Sequence, residues 1–413
     1  MTKEFPGRGK VAILRTSPDT VLEDYARLMD LAGVRDALPQ DKETILKINI
    51  SWQTWYPACS TAPWQLEGVI RALRAAGYDD LIAGHNDTVV VDAHVGERNN
   101  KHKFVVDTYD VRNVHLFEPQ YNWIRYEPKE PFLALDQIYP EGVYIPELLV
   151  GRNIVQLPTV KTHVFTTITG AMKNAFGGLL GRKRHWTHAD IHKTLVDLLM
   201  IQQDIHPGLF AVMDGTFAGD GPGPRAMRWH EKDVILASAD QVAIDAMSAH
   251  LQGFDPLSIP FIRIAHERGL GVGDPDQIEI VGEDRDWAMA QDWGFIQEDT
   301  FASRGQHAIY HGPLKPLEGL LLRSPLVPWS YFASNFYHNV YWYPFVGRSR
   351  VEKALETKWG QLFAEYGAEA GLRGAVMPGM EKKTVLTAAA GLVVLAAAIG
   401  VGARLLTQSE REA

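Results

Sequence analysis

The chain has 413 residues, of which 46% are hydrophobic and 22% charged, as is typical of a globular protein with one large domain or two. A formal net charge of −9 and a pI of about 5.9 give no basic field for a phosphate backbone, so nucleic acid is not an expected partner. Cys59 is the one cysteine in the sequence, which excludes an internal disulfide and a cysteine-ligated iron–sulfur cluster or structural zinc site.

The first three quarters of the chain alternate between short apolar runs and helical patterns, after an N-terminus that lacks the apolar region of a secretory signal. Runs rich in Val and Ile predict strands at 11–16, 43–50, 80–85, 153–158, 209–215, 233–239 and 277–282. Helices are predicted at 62–77, 190–208 and 240–253. The pattern predicts an α/β fold with a largely parallel sheet flanked by helices, in a body spanning residues 1–300. Within that body, the aromatic and proline-punctuated segment 86–150 is predicted to be an inserted cap.

Polar residues follow four of the predicted strands. Ligands of parallel sheets gather outside the carboxyl ends of the strands, so this coincidence predicts a site at that edge. A strand end can also carry turn-forming or solvated residues, which is the simpler alternative for each residue alone. The residues are Lys47 and Asn49, His85 with Asn86 and Asp87, Lys161 and His163, and Asp214.

The segment 157–188, LPTVKTHVFTTITGAMKNAFGGLLGRKRHWTH, gathers three lysines, three histidines and two arginines around glycines. Thr169 supplies a hydroxyl, and Lys173 with Asn174 supplies a cation and an amide, a combination suited to holding a carboxylate or phosphate. The segment is not a Walker loop, because the glycines lack the required Lys and Ser/Thr spacing. Lys161 and Lys173 are the predicted working pair, with Arg182 as a further anion contact, whereas Lys183 is predicted to be solvated.

The glycine-rich segment 215–225, GTFAGDGPGPR, does not fit the dinucleotide fingerprint, because prolines interrupt it. It is predicted to be a turn-rich lid or site wall. Asp220 within it, together with Asp214, is expected to face the lysines across the same cleft.

Histidine spacing gives a weak metal signal. His188 and His192 are four residues apart and share a helical face, but the glutamate of a zinc-protease motif is absent. A helix start with solvated histidines is the alternative for His192. His185 and His188 lie nearer the glycines and are the candidate metal ligands.

The C-terminal region predicts a membrane anchor. Residues 384–403 carry no charge, about the length that a helix needs to cross a bilayer, and the anchor is placed at 384–406. A buried or dimerising helix is the alternative, and flanking charges do not fix the orientation. Without a secretory signal, a cytoplasmic body with a single-pass C-terminal anchor is expected. Residues 301–366 are aromatic-rich and suit either a membrane interface or an aromatic subdomain packed on the core, and 367–383 is the predicted linker.

Five blocks in order resemble the bacterial and archaeal domain-of-unknown-function family 362: KINIS, STAPWQLEGVIRALRAAGY, LPTVKTHVFTTITGAMKNAFGGLLG, MDG with GDGPGP, and DQVAIDA. The resemblance covers roughly Lys47 to Gly282 and implies a fold and a site, but no reaction. Some members carry ferredoxin-like cysteines and are labelled iron–sulfur proteins. The single cysteine of this chain does not carry that property over.

A more distant similarity links the layout to the nickel-pincer lactate racemase family. By that resemblance His85 would act as a general acid/base, Lys173 with His185 or His188 would contact the cofactor, and Lys161 would bind an anion.

The sequence therefore predicts a membrane-anchored enzyme that acts on a small anionic substrate through Lys/His acid–base or cofactor-assisted chemistry. The alternatives are a non-catalytic protein that binds an anionic metabolite or a partner at the membrane, and a racemase or epimerase with a metal cofactor. The sequence does not specify the cofactor or the oligomeric state. The predicted catalytic residues are His85, Lys161, His163, Lys173 and His185, and the predicted substrate-binding residues are Lys47, Asn49, Thr169, Asn174, Arg182, Asp214 and Asp220.

Overall fold

The computed structural model describes residues 4–86, 91–310, 312, 315 and 334–367. Its strands are β1 (Lys10–Arg15), β2 (Thr44–Ile48), β3 (Leu81–His85), β4 (Arg112–His115), β5 (Trp123–Tyr126), β6 (Val143–Pro146), β7 (Asn153–Leu157), β8 (Thr159–His163), β9 (Thr167–Ile168), β10 (Leu209–Asp220), β11 (Arg228–Ser238) and β12 (Glu279–Gly282).

The α-helices within the same residues are α1 (Val21–Leu31), α2 (Val34–Ala37), α3 (Pro63–Ala75), α4 (Ala93–Asn99), α5 (His102–Thr108), α6 (Leu135–Ile138), α7 (Gly170–Asn174), α8 (Phe176–Leu179), α9 (Ile191–Ile205), α10 (Gln241–Gln252), α11 (Pro260–Glu267), α12 (Arg285–Met289), α13 (Phe301–Tyr310), α14 (Arg348–Glu356) and α15 (Lys358–Glu365). Short 3-10 segments cover Glu147–Leu149, Arg182–Asp190, Pro256–Ser258 and Pro275–Gln277, and a π-helix covers Phe336–Gly347.

The main sheet has the strand order β12-β1-β11-β10-β7-β2-β3-β4, with β8 pairing with β10 and β9 with β8. Its pairings are parallel except those of β11 with β1 and β10, and that of β9 with β8. The predicted α/β fold with a largely parallel sheet is therefore confirmed.

Apolar side chains that alternate along the strands build a core on each face of the sheet. In β1, Val11 and Ile13 enter one core, whereas Ala12 and Leu14 enter the other. The first core is covered by α7, α9, α10 and α11, and the second by α1, α3, α14 and α15. Helices on both faces are what strands buried on both sides require.

The predicted helices at 62–77, 190–208 and 240–253 are confirmed as α3, α9 and α10. Pro63 occupies the first turn of α3, where its missing N–H costs nothing, and Gln65 accepts a hydrogen bond from the backbone of Ala62 at 3.1 Å. At the start of α10, Asp240 accepts from the backbone N–H groups of Val242 and Ala243, both at 3.0 Å. Because Pro63 and Asp240 are residue types that favour a helix start, the sequence predicted the starts of α3 and α10 closely.

The segment 86–150 is not a single inserted cap. After α4 and α5, β4 joins the main sheet beside β3, and only β5 and β6 form a separate two-stranded sheet. β4 has four residues and lies at the sheet edge, so it carries too short an apolar alternation to be seen in the sequence.

The segment 215–225, predicted to be a turn-rich lid or site wall, is not turn-rich in its first part. β10 continues through Gly215 to Asp220, with a register shift between Gly215 and Phe217 in its pairing with β11. Glycines at a bulge within a long strand were mistaken for turn residues. Lys161 and His163, expected just after a strand, lie within β8, which begins after Pro158 has ended β7.

The aromatic region is divided between the core and the surface. Trp342 and Tyr343 are buried against Trp52, with ring centroids 6.1 and 5.5 Å from it. Phe336, Val340, Tyr341 and Phe345 of the same π-helix are exposed. Among the described residues, no helix combines the length and the hydrophobicity that crossing a membrane requires. The predicted anchor at 384–406 and most of the linker at 367–383 lie outside those residues.

Candidate functional site

The carboxyl ends of β2, β3, β4, β7 and β8 meet at one edge of the sheet, because these strands run in the same direction. Lys47 pairs in register with Gly84 of β3 on one side and with Gln156 of β7 on the other. The polar residues predicted at separate strand ends are thereby brought to neighbouring positions.

Asn174 connects the start of the glycine-rich segment to this edge of the sheet through hydrogen bonds. Its side-chain amide donates to the Lys47 carbonyl and to Gln156 Oε1, both at 2.9 Å, and its oxygen accepts from Asn49 Nδ2 at 3.2 Å. Both N–H groups of the side chain are therefore used. Asn174 orients α7, which carries Lys173, against the ends of β2 and β7.

Lys161 is held in place by neutral oxygens. Its ammonium group donates to the Cys59 carbonyl at 2.6 Å and to Thr159 Oγ1 at 2.9 Å, with Asn49 Oδ1 and Ser51 Oγ each at 3.4 Å. The side chain is buried, and burial lowers its pKa to about 8. With its hydrogens engaged in this way, Lys161 is a fixed positive charge beside the site.

Lys47 and Lys173 retain more bonding capacity. Lys47 is 3% exposed and donates to the Ile48 carbonyl at 2.6 Å, while the partly buried Lys173 lies over the Phe176 ring at 5.6 Å. Burial, assisted by the positive charge of Arg184, lowers the pKa of Lys47 to about 7. Burial, assisted by Lys161 and Arg184, lowers the pKa of Lys173 to about 7.

None of the ammonium groups of Lys47, Lys161 and Lys173 forms an ion pair with a carboxylate in the part of the chain that the structure describes.

The side chain of Lys47 packs closely against Gly178. A β-carbon on Gly178 would lie 3.1 Å from Lys47 Cε. Gly178, and Gly177 beside it, therefore leave room for the lysine side chain. Their role is close packing against Lys47 rather than a phosphate loop.

His163 and His188 flank the lysines as neutral imidazoles. The backbone N–H of Phe165 donates to His163 Nδ1 at 3.1 Å, which leaves the ring proton on Nε2. Burial, with the positive charge of Lys173, holds the pKa of His163 well below its usual range. His188 Nδ1 lies 3.0 Å from the His185 carbonyl, and burial lowers the pKa of His188 to about 3.

The other predicted residues lie in different settings. Asp214 accepts from Tyr25, Trp64 and Thr216 at 2.7 to 2.9 Å, so its carboxylate serves packing below the edge. Asp220 accepts from Arg228 Nε at 2.8 Å and from the Ile296 backbone at 2.7 Å. The structure does not bring these two carboxylates to the lysine ammonium groups.

Thr169 precedes α7, and its hydroxyl is buried and has no hydrogen-bond partner among the described residues. The His185 carbonyl accepts from Tyr310 at 3.3 Å. In the described residues, His185 and His188 gain no third His, Cys, Asp or Glu ligand atom. The side chain of Arg182 lies outside the described part of the chain.

Arg184 and Arg225 were not predicted as site residues. Arg184 is 7% exposed and donates to the Leu180 carbonyl at 3.3 Å, and Arg225 donates to the Ser51 carbonyl at 3.1 Å. Burial lowers the pKa of Arg225, although the group stays charged. Arg184 follows Lys183, which was predicted to be solvated, and no signal in the sequence set Arg184 apart from it.

His85 lies at a second polar cluster on the same edge. It ends β3 beside His115 of β4, and both imidazoles contact Glu97 of α4, at 3.2 and 3.0 Å from Oε2. Burial lowers the pKa of His85. Glu97 and His115 were missed, because they lie in the segment predicted to be a cap.

The fold and the lysine cluster define an α/β protein with a cationic site at the carboxyl ends of its parallel strands. The chain belongs to the family described as domain of unknown function DUF362, whose sequence profile matches residues 44–250. That range contains every lysine, histidine and asparagine of the cluster. The similarity to the lactate racemase family stays a prediction.

The chain is also 30% identical over 128 residues to the thylakoid-associated protein sll1697 of Synechocystis sp. (strain ATCC 27184 / PCC 6803 / Kazusa). The aligned residues make up 30% of this chain and 40% of that relative. No solved structure matches the chain.

Proposed function

We propose that this protein is an enzyme that binds a small anionic substrate at the carboxyl edge of its sheet. The observation that carries the proposal is the convergence of Lys47, Lys161 and Lys173, whose ammonium groups have no carboxylate partner in the described residues. Burying an ammonium group costs free energy unless an opposite charge compensates for it. A bound phosphate or carboxylate would supply that charge.

Lys47 and Lys173 are the proposed substrate contacts. Within the described part of the chain, Lys47 donates one hydrogen bond and Lys173 has a ring contact, so both retain N–H groups that can donate to an anion. Lys161, engaged by four oxygens, contributes its charge. Asn49 and Asn174 fix the spacing between the strand ends and α7, and the Thr169 hydroxyl is a further proposed contact.

The lowered pKa values favour catalysis over simple binding. A lysine whose pKa is about 7 is present in both charged and neutral forms at neutral pH, as proton transfer requires. A protein that only binds an anion gains nothing from a neutral amine. We therefore assign general acid–base roles to Lys47 or Lys173, with His163 as a neutral Nε2–H donor.

The first test uses inorganic phosphate and, separately, oxalate as probes of the purified full chain. Each ligand is expected to raise the Tm of the parent, because a ligand that binds only the folded state adds about 2.7 kcal/mol at 100 times its Kd. The shift should be lost in Lys47→Met and Lys173→Met. The matched control is Lys103→Met, which removes an exposed lysine paired with Asp107 at 2.8 Å.

Two results would contradict the proposal. One is equal Tm shifts in the parent and in all three variants, which would mean a general salt effect. The other is the absence of a shift in the parent with either probe. Binding by isothermal titration calorimetry should rank the four proteins in the same order as their Tm shifts.

We further propose that the protein is held at a membrane. The observation that favours this is the exposed apolar face of the π-helix, formed by Phe336, Val340, Tyr341 and Phe345. Aromatic side chains of this kind suit the interface between lipid headgroups and acyl chains. The predicted anchor at 384–406 and the thylakoid association stated in the relative's name support the same location. A body on the cytoplasmic side stays a prediction.

A further inference from the structure

A cluster of three buried side chains lies at the ends of β3 and β4, beside the lysine site, and the function proposed above does not use it. His85 and His115 are opposite each other in the two strands, and Glu97 reaches them from α4. Their exposed fractions are 2%, 9% and 4%. The ligand atoms of the three side chains lie within 4.8 Å of one another.

One carboxylate oxygen is the centre of this cluster. Glu97 Oε2 lies 3.2 Å from His85 Nε2, 3.0 Å from His115 Nε2 and 2.7 Å from Asn113 Nδ2. In a tetrahedral metal site with bonds of about 2.0 to 2.2 Å, neighbouring ligand atoms lie roughly 3.3 to 3.6 Å apart. The two separations between Glu97 and the histidines need to widen by only a few tenths of an ångström to admit an ion, and the histidine ligand atoms lie within 4.8 Å of each other.

His115 lies between two carboxylates. Its Nε2 faces Glu97 at 3.0 Å, and its Nδ1 faces Glu118 Oε1 at 3.3 Å. With an ion between Nε2 and Glu97, Nδ1 would face Glu118 from behind the ligand. A carboxylate behind a histidine ligand is a common second partner in metal sites.

His85 presents one nitrogen to the cluster. Its Nε2 contacts Glu97, and its ring packs against His115 with 4.7 Å between the ring centroids. Its Nδ1 is buried and has no hydrogen-bond partner among the described residues. Nε2 is therefore the nitrogen that faces the other proposed ligands.

We propose that His85, Glu97 and His115 bind a divalent transition-metal ion, with Asn113 and Glu118 orienting the ligands. Two imidazoles and one carboxylate form the ligand set of zinc and non-haem iron sites that keep an open coordination position. His94 lies at the outer side of the cluster, with Nδ1 3.8 Å from Glu97 Oε1, and is half-exposed. The side of the cluster next to His94 is therefore the side from which an ion and any further ligand can enter. This proposal does not depend on anion binding by the lysines.

The experiment measures Zn²⁺ binding to the full chain after treatment with a chelator. Titration calorimetry and elemental analysis are expected to give one Zn²⁺ per chain in the parent. Glu97→Gln, which keeps the shape of the side chain, and His115→Asn should each weaken binding at least 100-fold. Glu118→Gln should weaken it about 10- to 100-fold, as expected for a residue that orients a ligand.

The control is His250→Gln, which alters a histidine that contacts the Met289 carbonyl at 3.0 Å, away from the cluster. This variant should bind Zn²⁺ like the parent, and near-UV circular dichroism should show that all variants fold. Co²⁺ bound to the parent should give d–d absorption bands that Glu97→Gln lacks. The proposal is overturned if folded Glu97→Gln and His115→Asn retain the parent's stoichiometry and affinity, or if the parent binds no Zn²⁺.

Discussion

Lys47 carries a charge that the folded state disfavours. Its pKa falls from 10.5 to about 7 on folding, mainly because of burial. The unfolded chain therefore binds more protons than the folded one between pH 7 and pH 10. Lys47 consequently makes the free energy of unfolding increase with pH across that window. The contribution of Lys47 to the free energy of unfolding is most favourable above its unfolded pKa, and this advantage is lost as the pH falls through its folded pKa.

Lys47→Met is accordingly expected to raise the stability of the ligand-free protein at pH 7, by roughly 1 to 4 kcal/mol. The gain should shrink steadily toward pH 9.5, because the parent lysine is then neutral in the folded state and less protonated in the unfolded one. Urea unfolding of the parent and the variant at pH 7, 8 and 9 gives the difference directly.

Lys103→Met serves as the reference, since Lys103 is exposed and paired with Asp107. Its effect should be small and nearly independent of pH in this range. If Lys47→Met is less stable than the parent at pH 7, or if its effect does not change with pH, then burial does not disfavour the Lys47 ammonium group and the acid–base role has no basis.

Several residues of the lysine cluster could be predicted from the sequence because they follow strands that the sequence marks clearly. Lys47 and Asn49 are examples. Glu97 and His115 could not be, since they lie on a short helix and a four-residue edge strand without apolar alternation. Asp214 shows a different limit: the sequence places it at a strand end, but only the packing of α1 and α3 shows that Tyr25 and Trp64 take up its carboxylate.

At the scale of elements, α7 is positioned by a carboxylate from another helix. Asp245 of α10 accepts hydrogen bonds from the backbone N–H groups of Ala171 at 2.5 Å and Met172 at 3.0 Å. Gly170 has φ +85°, and a β-carbon there would collide with the Asp245 carboxylate. Glycine is therefore required for α7 to meet α10 and to present Lys173.

Gly170→Ala is expected to destabilise the protein by roughly 3 kcal/mol or more, because it adds left-handed backbone strain to the loss of the Asp245 contact. Thermal or urea unfolding measures the change. Gly151→Ala is the matched control. Gly151 has φ +76°, and among the described residues no atom lies within 4 Å of the position of an added β-carbon. It should cost about 1 to 2 kcal/mol from the backbone alone. Equal losses in the two variants would show that the contact with Asp245 adds nothing.

The strands that the sequence predicted are those in which Val and Ile are frequent. β8, with the sequence TVKTH, was not among them, although all five of its residues are buried. Its polar side chains find partners such as the Gly221 carbonyl, 2.7 Å from Thr162 Oγ1, so burial does not require apolar residues there. Elements stabilised by hydrogen bonds between side chains and distant backbone are invisible to a search for hydrophobic periodicity.

At the scale of the whole molecule, the parallel strands place two polar clusters side by side. Lys47 lies in register with Gly84, the residue before His85, so the lysine site and the histidine–glutamate cluster occupy adjacent strand ends. A metal ion at the second cluster would add positive charge next to the first. The two proposals are thus separate in their tests, yet both place the chemistry of the chain at one edge of one sheet.

At the same scale, the exposed aromatic face of the π-helix is proposed to lie at a membrane interface. Phe345 is 76% exposed on the π-helix, and Cys59 is fully buried with a thiol pKa raised by burial, so a maleimide dye should label an introduced Phe345→Cys selectively. We expect an environment-sensitive dye at this position to shift to shorter emission wavelengths when the full chain is reconstituted into phosphatidylcholine and phosphatidylglycerol vesicles. The same dye on Asp107→Cys, an exposed position of α5, should keep its emission in water. A shift at neither position, or an equal shift at both, would mean that the aromatic face does not enter the interface, because only a face seated among the headgroups distinguishes the two sites.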